Sequence, residues 1–421
     1  MRETLEAAAK GTRVTSVDGS GAAADRSESR AESRPLKILY HHRTQSRDGQ
    51  FVHIQELISA LQELGHEVRV VEPRHGGATQ FGGEPKAARA VKKYIPGHLY
   101  ELLELVYNVP ELVRLLAAGR AFKPDVLYER ANIYTLSGLL AAKLLGLRYF
   151  LEVNSPLADE RGKFGKLRFP RLAAQTERAC WRAADIVFPV TQVLSALVQA
   201  AGVRRERIVV VPNGVDLRKF TSGDDRAMRR RLSLEGKLVL GFTGFVREWH
   251  RANAVIDLLA GPELPANSHF LIVGDGPAKD ALYEQARRLN VADRLTITGI
   301  VPRDQVARYI ECFDIALQPN VVSYASPLKL LEYMALARAI IAPDSANIRE
   351  LLVHGHNALL VAPDHGTAYA DAVKRLAGDA ALRAALGAAA RQTIFERRLT
   401  WDQNARTVAA LACASPVRSS S

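Results

Sequence analysis

With 421 residues, 48% of them apolar and 24% charged, the chain is too long for one ordinary core and has the composition of a soluble globular protein of two domains. Its net charge of +12 suits an acidic partner (nucleic acid, an anionic bilayer or a phosphorylated substrate), or simply a solvated basic surface. Cys180, Cys312 and Cys413 have no metal-ligand spacing, so no disulfide framework or zinc site is read from them and a reducing cytoplasm is expected. No apolar run approaches the roughly 18 residues of a spanning helix, and no secretory leader is read.

Residues 1–34 are rich in Ala, Gly, Ser, Arg and Glu and nearly lack large apolar side chains. Such a segment buries too little to offset its ordering entropy, so a disordered tail is expected there and again at 415–421. Between the tails, short apolar runs alternate with helical patterns. The runs are Lys37–Tyr40, Val68–Val71, Asp125–Tyr128, Tyr149–Val153, Ile186–Val190 and Ile208–Val211 in the first half. Leu238–Phe242, Phe270–Val273, Leu295–Thr298, Ile315–Gln318, Ile340–Ala342 and Leu359–Val361 follow in the second. Most are apolar on both faces, as strands covered by helices on both sides must be. Val52–Leu64, Ala278–Leu289 and Asp304–Cys312 are among the intervening helical patterns. This alternation predicts an α/β protein with two doubly wound parallel sheets. The pattern pauses at Pro212-Asn213-Gly214, a turn signal before a charged stretch, which divides the chain into domains at 35–215 and 216–398. A ligand then belongs in the cleft between them.

Three segments of the second half carry chemistry. Leu238 to Gly244 is a strand ending in glycine, with Arg247 and His250 just beyond. A cation after such a turn holds a phosphate, or is a surface arginine near a helix start. Phe270 to Pro277 is a buried strand entering Gly274 and Gly276, with a helix expected from Pro277. Glycines there admit a ligand to the backbone, or simply make a tight turn. In Ala325 to Ala335, Ser326 is placed to cap a helix with Pro327 at its first position. The helix start offers free amides and a positive dipole end to a diphosphate. Lys329 sits in that first turn, where a cation is otherwise unfavourable. Glu332 follows three residues later, placed to accept ribose hydroxyls or to pair with Lys329.

These motifs, together with Val211-Pro-Asn-Gly-Val-Asp216, Thr298-Gly-Ile-Val-Pro302 and Ile348 to Asn357, resemble those of the retaining glycosyltransferases of family 4, which have the GT-B fold of two Rossmann-like domains. The resemblance runs from about Leu36 to about Arg406. It implies an N-terminal acceptor domain, a C-terminal nucleotide-sugar domain, and a last helix at 399–414, opened by Trp401, that crosses back to the first domain. It places Glu332 at the second carboxylate of the paired-glutamate motif, against the ribose. Ser326, Pro327, Leu328 and Lys329 would lie against the diphosphate. The loops after Gly274 and Gly299, with Val301, would line the base. Arg247, Lys329 and His250 would neutralise the leaving diphosphate. The implied donor is a UDP- or GDP-type sugar nucleotide, and no further cofactor is expected. No paired-aspartate motif is read, so no metal is expected either.

The chain departs from the family at three places. Tyr324 stands at the first motif glutamate. Phe245 and His250 take the positions of the arginine and lysine pair, leaving Arg247 to supply charge from two residues away. Arg251 stands where a glycine is common. These departures leave the donated sugar open. They also admit two other readings: a catalytically weak nucleotide-sugar-binding subunit, or another GT-B enzyme such as a nucleotide-sugar epimerase or a phosphorylase.

In the first half, Tyr40 to His53 resembles the family's loop facing the diphosphate and acceptor. Gly49 would approach phosphate closely, and His53 would point into the cleft or lie on a polar helix face. Glu152 and Asn154 end the strand where the family often has a histidine, and Glu129-Arg130 ends another. Arg161 to Arg171 interleaves five cations with Phe164, Leu167 and Phe169. Such a segment suits an anionic bilayer, or is a solvated basic loop, with Lys92 and Lys93 in Lys86–Tyr94 adding to it. A cytoplasmic enzyme attached to the inner face of the membrane, acting on a glycan or lipid-linked acceptor, is the expectation. No helix-turn-helix, zinc or RNP-type signal is present, so nucleic acid is not an expected partner.

Overall fold

Five strands form the first parallel sheet: β1 (Lys37–His41), β2 (Glu67–Val71), β3 (Val126–Arg130), β4 (Arg148–Val153) and β5 (Ile186–Pro189). Six form the second: β6 (Leu238–Thr243), β7 (Ser268–Val273), β8 (Leu295–Ile297), β9 (Ile315–Leu317), β10 (Ala339–Pro343) and β11 (Leu359–Val361). The structure is a computed structural model and describes residues 34–45, 49–73, 95–164, 167–221, 223, 226–362 and 366–414. The expected tail at 1–34 except its last residue, the tail at 415–421, the Lys86–Tyr94 stretch and Lys166 lie outside the described residues.

The first sheet has the order β2-β1-β3-β4-β5, with Ile38 paired to Val68 on one side and Val126 on the other. The second has the order β11-β10-β9-β6-β7-β8, which read from β8 is the 3-2-1-4-5-6 Rossmann arrangement. Each order reverses direction next to its first strand. That reversal opens a crevice at the carboxyl ends of β1 and β3, and another at those of β6 and β9. The helices that matter for the site are α1 (Gly49–Glu63), α2 (Gly97–Val106), α3 (Asn108–Phe122), α4 (Leu157–Phe164), α5 (Gln192–Ala200), α6 (Leu328–Ala335) and α7 (Trp401–Cys413).

Both faces of most strands are buried, so β3, β5, β6, β7 and β10 are covered along their whole length. The edge strand β2 departs from this and buries only Val71 fully. α7 closes the first sheet. Trp401, Ala405, Val408 and Ala409 join Ile38, Tyr40, Ile54 and Leu57 in one core. Trp401 is 3% exposed, and truncating such a side chain costs about 3–5 kcal/mol. Two chain crossings join the sheets and run side by side. Val215 N–H donates to Leu399 O at 3.1 Å, and Asn404 Nδ2 donates to Pro212 O at 2.7 Å. A Cβ on Gly214 would lie 2.5 Å from the Thr400 carbonyl carbon, so only glycine fits that crossing.

Ile208–Val211 does not form the expected strand. It touches β5 through one bridge, Val187 to Ile208, and through amides of Val209 and Val211. Among the described residues it bridges no other strand, and its pairing ends where β5 ends at Pro189. The other predicted runs coincide with strands to within two residues at either end. The helix expected from Pro277 begins at Lys279, because Gly276 has φ 157° and Pro277 sits in the turn that follows.

Candidate functional site

β6 leads into the second crevice through Gly244, whose φ of 117° is left-handed. A Cβ there would lie 3.3 Å from Lys329 Nζ, so the loop and the first turn of α6 are in direct contact. At Gly274 and Gly276 a Cβ would strike the carbonyl oxygens of Gly244 and Val246 at 2.1 Å. Of the two readings of these glycines, backbone packed on backbone is therefore sufficient. Thr298 Oγ1 accepts the Gly274 N–H at 3.2 Å and ties in the loop that carries Val301.

The cap of α6 differs from expectation by one residue. Pro327 is the capping residue and makes no side-chain hydrogen bond, and the helix starts at Leu328. Ser326 Oγ instead accepts the Asn213 N–H at 3.3 Å. Among the described residues the first-turn amides thus have no side-chain cap, and they carry the positive end of the helix dipole. Lys329 rises from this turn. Its ammonium lies 3.7 Å from the centre of the Phe242 ring, and among the described residues no carboxylate is within ion-pair distance. Burial against the ring and backbone pushes it down to about 7, with the charge of Glu332 opposing.

Glu332 does not pair with Lys329. Its Oε1 meets Arg303 Nη1 at 2.6 Å, and the Arg303 guanidinium lies over Phe220, 5.0 Å from the ring centre. His250 departs from its expected role. It is 7% exposed, edge-on to Phe242 at 5.1 Å, with Nδ1 accepting the Arg247 N–H at 3.0 Å. Burial, then the charges of Lys329 and Arg247, push it down to about 3, so it is neutral and adds no positive charge. Arg247 is exposed, over Phe245 at 4.9 Å, and is the cation that accompanies Lys329.

The first domain meets this crevice through α1. Gly49 packs on Leu328, whose Cδ1 would be 3.6 Å from a Cβ at 49. His53 neither points into an open cleft nor lies on a polar helix face; it is buried between the two sheets' loops. Nδ1 is 2.6 Å from Asn213 Oδ1 and Nε2 is 2.9 Å from Glu152 Oε2. Asn213 in turn donates to Ser326 O, so one chain of hydrogen bonds runs from β4 to the start of α6. Glu152 also receives Arg130, Asn154 and the Tyr128 hydroxyl. Burial alone would raise its pKa, but His53 and Arg130 hold it well below the usual carboxylate range. Asn154 is thereby engaged by Glu152 rather than presented alone. Tyr324 O accepts the Thr191 hydroxyl at 3.1 Å, and its own hydroxyl sits beside Glu160 of α4 without hydrogen-bond alignment. Glu350 caps α5, accepting the Gln192 and Val193 amides at 2.8 and 3.2 Å.

A second buried group lies at the end of β1. His41 Nδ1 is 2.7 Å from Glu129 Oε1, and Nε2 is 3.1 Å from Glu111 Oε1. Arg43 Nε donates to Glu111 Oε2 at 2.6 Å. Burial opposes the imidazolium, but Glu111 and Glu129 outweigh it and lift His41 to about 9. A raised pKa gives stability that is full below the ordinary value of 6.5 and is lost as pH rises through about 9. The melting-temperature loss on His41→Gln is therefore larger at pH 6 than at pH 9.5, checked by calorimetry of both proteins. Sequence reading passed over Glu111 and Arg303, took His41 only as part of the Tyr40 to His53 loop, and read Asn213 only as a turn. For His41 the signal was present as two histidines ending a buried strand; for Arg303 there was none.

Among the described residues, no group of three or more His, Cys, Asp or Glu side chains is arranged to hold a metal ion. The side chains that converge on the crevice are suited to an anion and a diol.

The sequence model of Glycosyltransferase Family 4 matches residues 47–219, and that of Glycosyl transferases group 1 matches residues 237–379. The D-inositol 3-phosphate glycosyltransferase of Stackebrandtia nassauensis is 30% identical over 48% of this chain and 47% of its own length. The chain thus spans about half of that relative. The phosphatidyl-myo-inositol mannosyltransferase of Mycolicibacterium smegmatis is 28% identical over 83% of this chain and 86% of its own. The Anabaena HepE protein, solved in complex with UDP, superposes with a TM-score of 0.68 at 17% identity, covering 89% of this chain and 99% of that one.

Two Rossmann-like sheets joined by a double crossing, with a glycine-flanked cation at the second crevice, define the GT-B class. The chain belongs to the family 4, group 1 glycosyltransferases.

Proposed function

We propose that this protein moves a hexosyl group from a UDP- or GDP-type sugar nucleotide to a hydroxyl of a glycan or lipid-linked acceptor. Configuration is retained, and the products are bacterial polysaccharides or glycolipids. The observation that carries the reading is Lys329, which among the described residues has no carboxylate partner and stands in the first turn of a helix without a side-chain cap. A diphosphate supplies the missing negative charge. In this reading Lys329, Arg247 and the first-turn amides stabilise the leaving diphosphate as charge develops on it. Glu332 accepts the ribose hydroxyls. The sugar carbon breaks its bond to the phosphate oxygen and forms one to the acceptor oxygen on the same face. The acceptor proton passes to the departing phosphate. Gly49 and the His53–Glu152 group shape the acceptor side. The names of the relatives, which act on inositol phosphates and phosphatidyl-inositol, and the UDP bound in the Anabaena protein support this chemistry. A cytoplasmic setting with attachment to the inner face of the membrane belongs to the same reading.

Thermal shift with UDP, GDP, ADP and their sugars tests it. One base should stabilise the protein by about 2.7 kcal/mol at a hundredfold excess over Kd, and Glu332→Ala should lose the effect. No shift with any nucleotide overturns the reading. A shift without release of the nucleoside diphosphate to any acceptor supports instead a nucleotide-sugar-binding subunit, the role that Tyr324 in place of a carboxylate would favour.

A further inference from the structure

α2 and α3 form one nearly continuous helix. Tyr107, between them, keeps helical dihedrals of −59° and −18°, and its amide donates to Leu103 O at 2.9 Å. Along one face run Leu99, Leu102, Leu103, Val106, Val109 and Val113, each between 40% and 64% exposed. Steps of three and four residues keep them on a single stripe. A run of this kind on the surface of a soluble domain marks an interaction site.

The charges around the stripe select its occupant. Every glutamate of α2 and α3 is turned away or already paired. Glu101 is 2% exposed and accepts the Arg168 and Phe169 amides at 2.6 and 3.0 Å. Glu104 holds Arg161 at 2.7 Å, and Glu111 is buried under Arg43. The exposed flank is cationic instead. Arg168 lies against Gly97 at the start of α2, where a Cβ would be 3.3 Å from its Nε, and Arg171 is exposed just beyond. Because Glu101 anchors the Arg168–Phe169 backbone, stripe and cations form one fixed surface. Two copies of this surface placed face to face would bring like charges together. A bilayer with anionic headgroups satisfies both parts, receiving the aliphatic side chains below and the arginines at the headgroup level.

We propose that the α2–α3 stripe and the flanking Arg168 and Arg171 dock this protein on an anionic lipid bilayer. This names the surface for the membrane attachment proposed above and rests on that reading, but not on the donor chemistry.

Flotation of the full chain with phosphatidylcholine vesicles, with and without phosphatidylglycerol, is the test. The protein should float with the anionic vesicles and not with the neutral ones. Val106→Glu with Val109→Glu, and Arg168→Glu with Arg171→Glu, should each weaken binding by about tenfold or more. Nucleotide thermal shift, measured without lipid, should be unchanged in both variants, which separates lost docking from lost folding and from failure of the donor reading. Three results overturn the proposal: no flotation with anionic vesicles, equal flotation of both double variants, or a dimer in solution that Val106→Glu with Val109→Glu dissociates while no vesicles bind.

Discussion

Lys329→Met lowers kcat/KM with the correct sugar nucleotide by about two to three orders of magnitude, most of it in kcat. Methionine keeps the length and apolar stem of the side chain, so contact with Phe242 survives and only the charge is lost. The side-chain nitrogen is held at the start of α6 before any ligand arrives, so it does not move as charge builds on the leaving diphosphate. Its titration gives a second readout. In the free protein burial pushes Lys329 down to about 7 from an ordinary 10.5. Between those values the folded, unliganded protein has lost a proton that an ordinary lysine keeps. A bound diphosphate restores the charge, so binding at pH 8.5 takes up close to one proton. Calorimetric titration in buffers of different ionisation enthalpy measures this uptake, which disappears in Lys329→Met. Binding without proton uptake in the wild type would place the diphosphate elsewhere. The same depression means that unliganded stability rises with pH across this window, because the unfolded chain binds more protons there. Lys329→Met is therefore most stabilising below pH 7 and least so toward pH 10.5.

The sheets were legible because their strands are buried on both faces and therefore read as short apolar runs. Phe270–Val273 and Ile340–Ala342 have no polar residue to confuse the period. Ile208–Val211 has the same composition and was misread for that reason. What separates it from a strand is that its pairing with β5 amounts to a single bridge and stops with β5 at Pro189, a property of tertiary structure that composition does not carry. The helix starts near Pro277 and Pro327 were placed early for a related cause. Proline marks where a helix can begin, but the preceding backbone decides whether it begins there. Gly276 at φ 157° and Ser326 held by Asn213 both delay it.

Residues local to one motif were found, and residues defined by a partner far along the chain were not. Lys329, Glu332, Gly244 and Ser326 lie in contiguous segments whose order carries the resemblance. Asn213 was read as a turn residue. Its second role, linking His53 of α1 to Ser326 before α6, depends on contacts 160 and 113 residues apart in sequence. The charge expected of His250 failed on physical grounds visible only in three dimensions. A histidine pressed on Phe242 between Lys329 and Arg247 is pushed down to about 3 and is neutral in the unliganded protein. The pairing of Glu332 with Lys329 that the spacing allowed was excluded the same way, since Arg303, which the sequence reading did not offer, reaches the carboxylate from a different loop.

Glu332→Ala is expected to cost about two to four orders of magnitude in kcat/KM, because two hydrogen bonds to a charged acceptor are worth roughly 1.5–3 kcal/mol each. Loss of activity alone does not prove the ribose role. Glu332 also holds Arg303 at 2.6 Å, and removing it leaves that guanidinium over Phe220 without its carboxylate. The sugar of the nucleotide separates the two effects. A carboxylate that accepts both ribose hydroxyls makes the wild type prefer a ribonucleoside diphosphate over its 2′-deoxy analogue by tenfold or more, about one hydrogen bond to a charged group. In Glu332→Ala the two nucleotides bind equally. Arg303→Met gives the contrasting outcome. It removes the ion pair and the stacking on Phe220 but leaves the carboxylate, so overall affinity falls while the preference for the ribonucleotide persists. Competition binding of the two nucleotides to the three proteins decides between the roles. If Arg303→Met loses the preference as fully as Glu332→Ala does, the ion pair and not the carboxylate alone reads the ribose. If Glu332→Ala keeps it, the ribose lies elsewhere in the crevice, and the pair serves only to fix Arg303 against Phe220 beside the chain crossing.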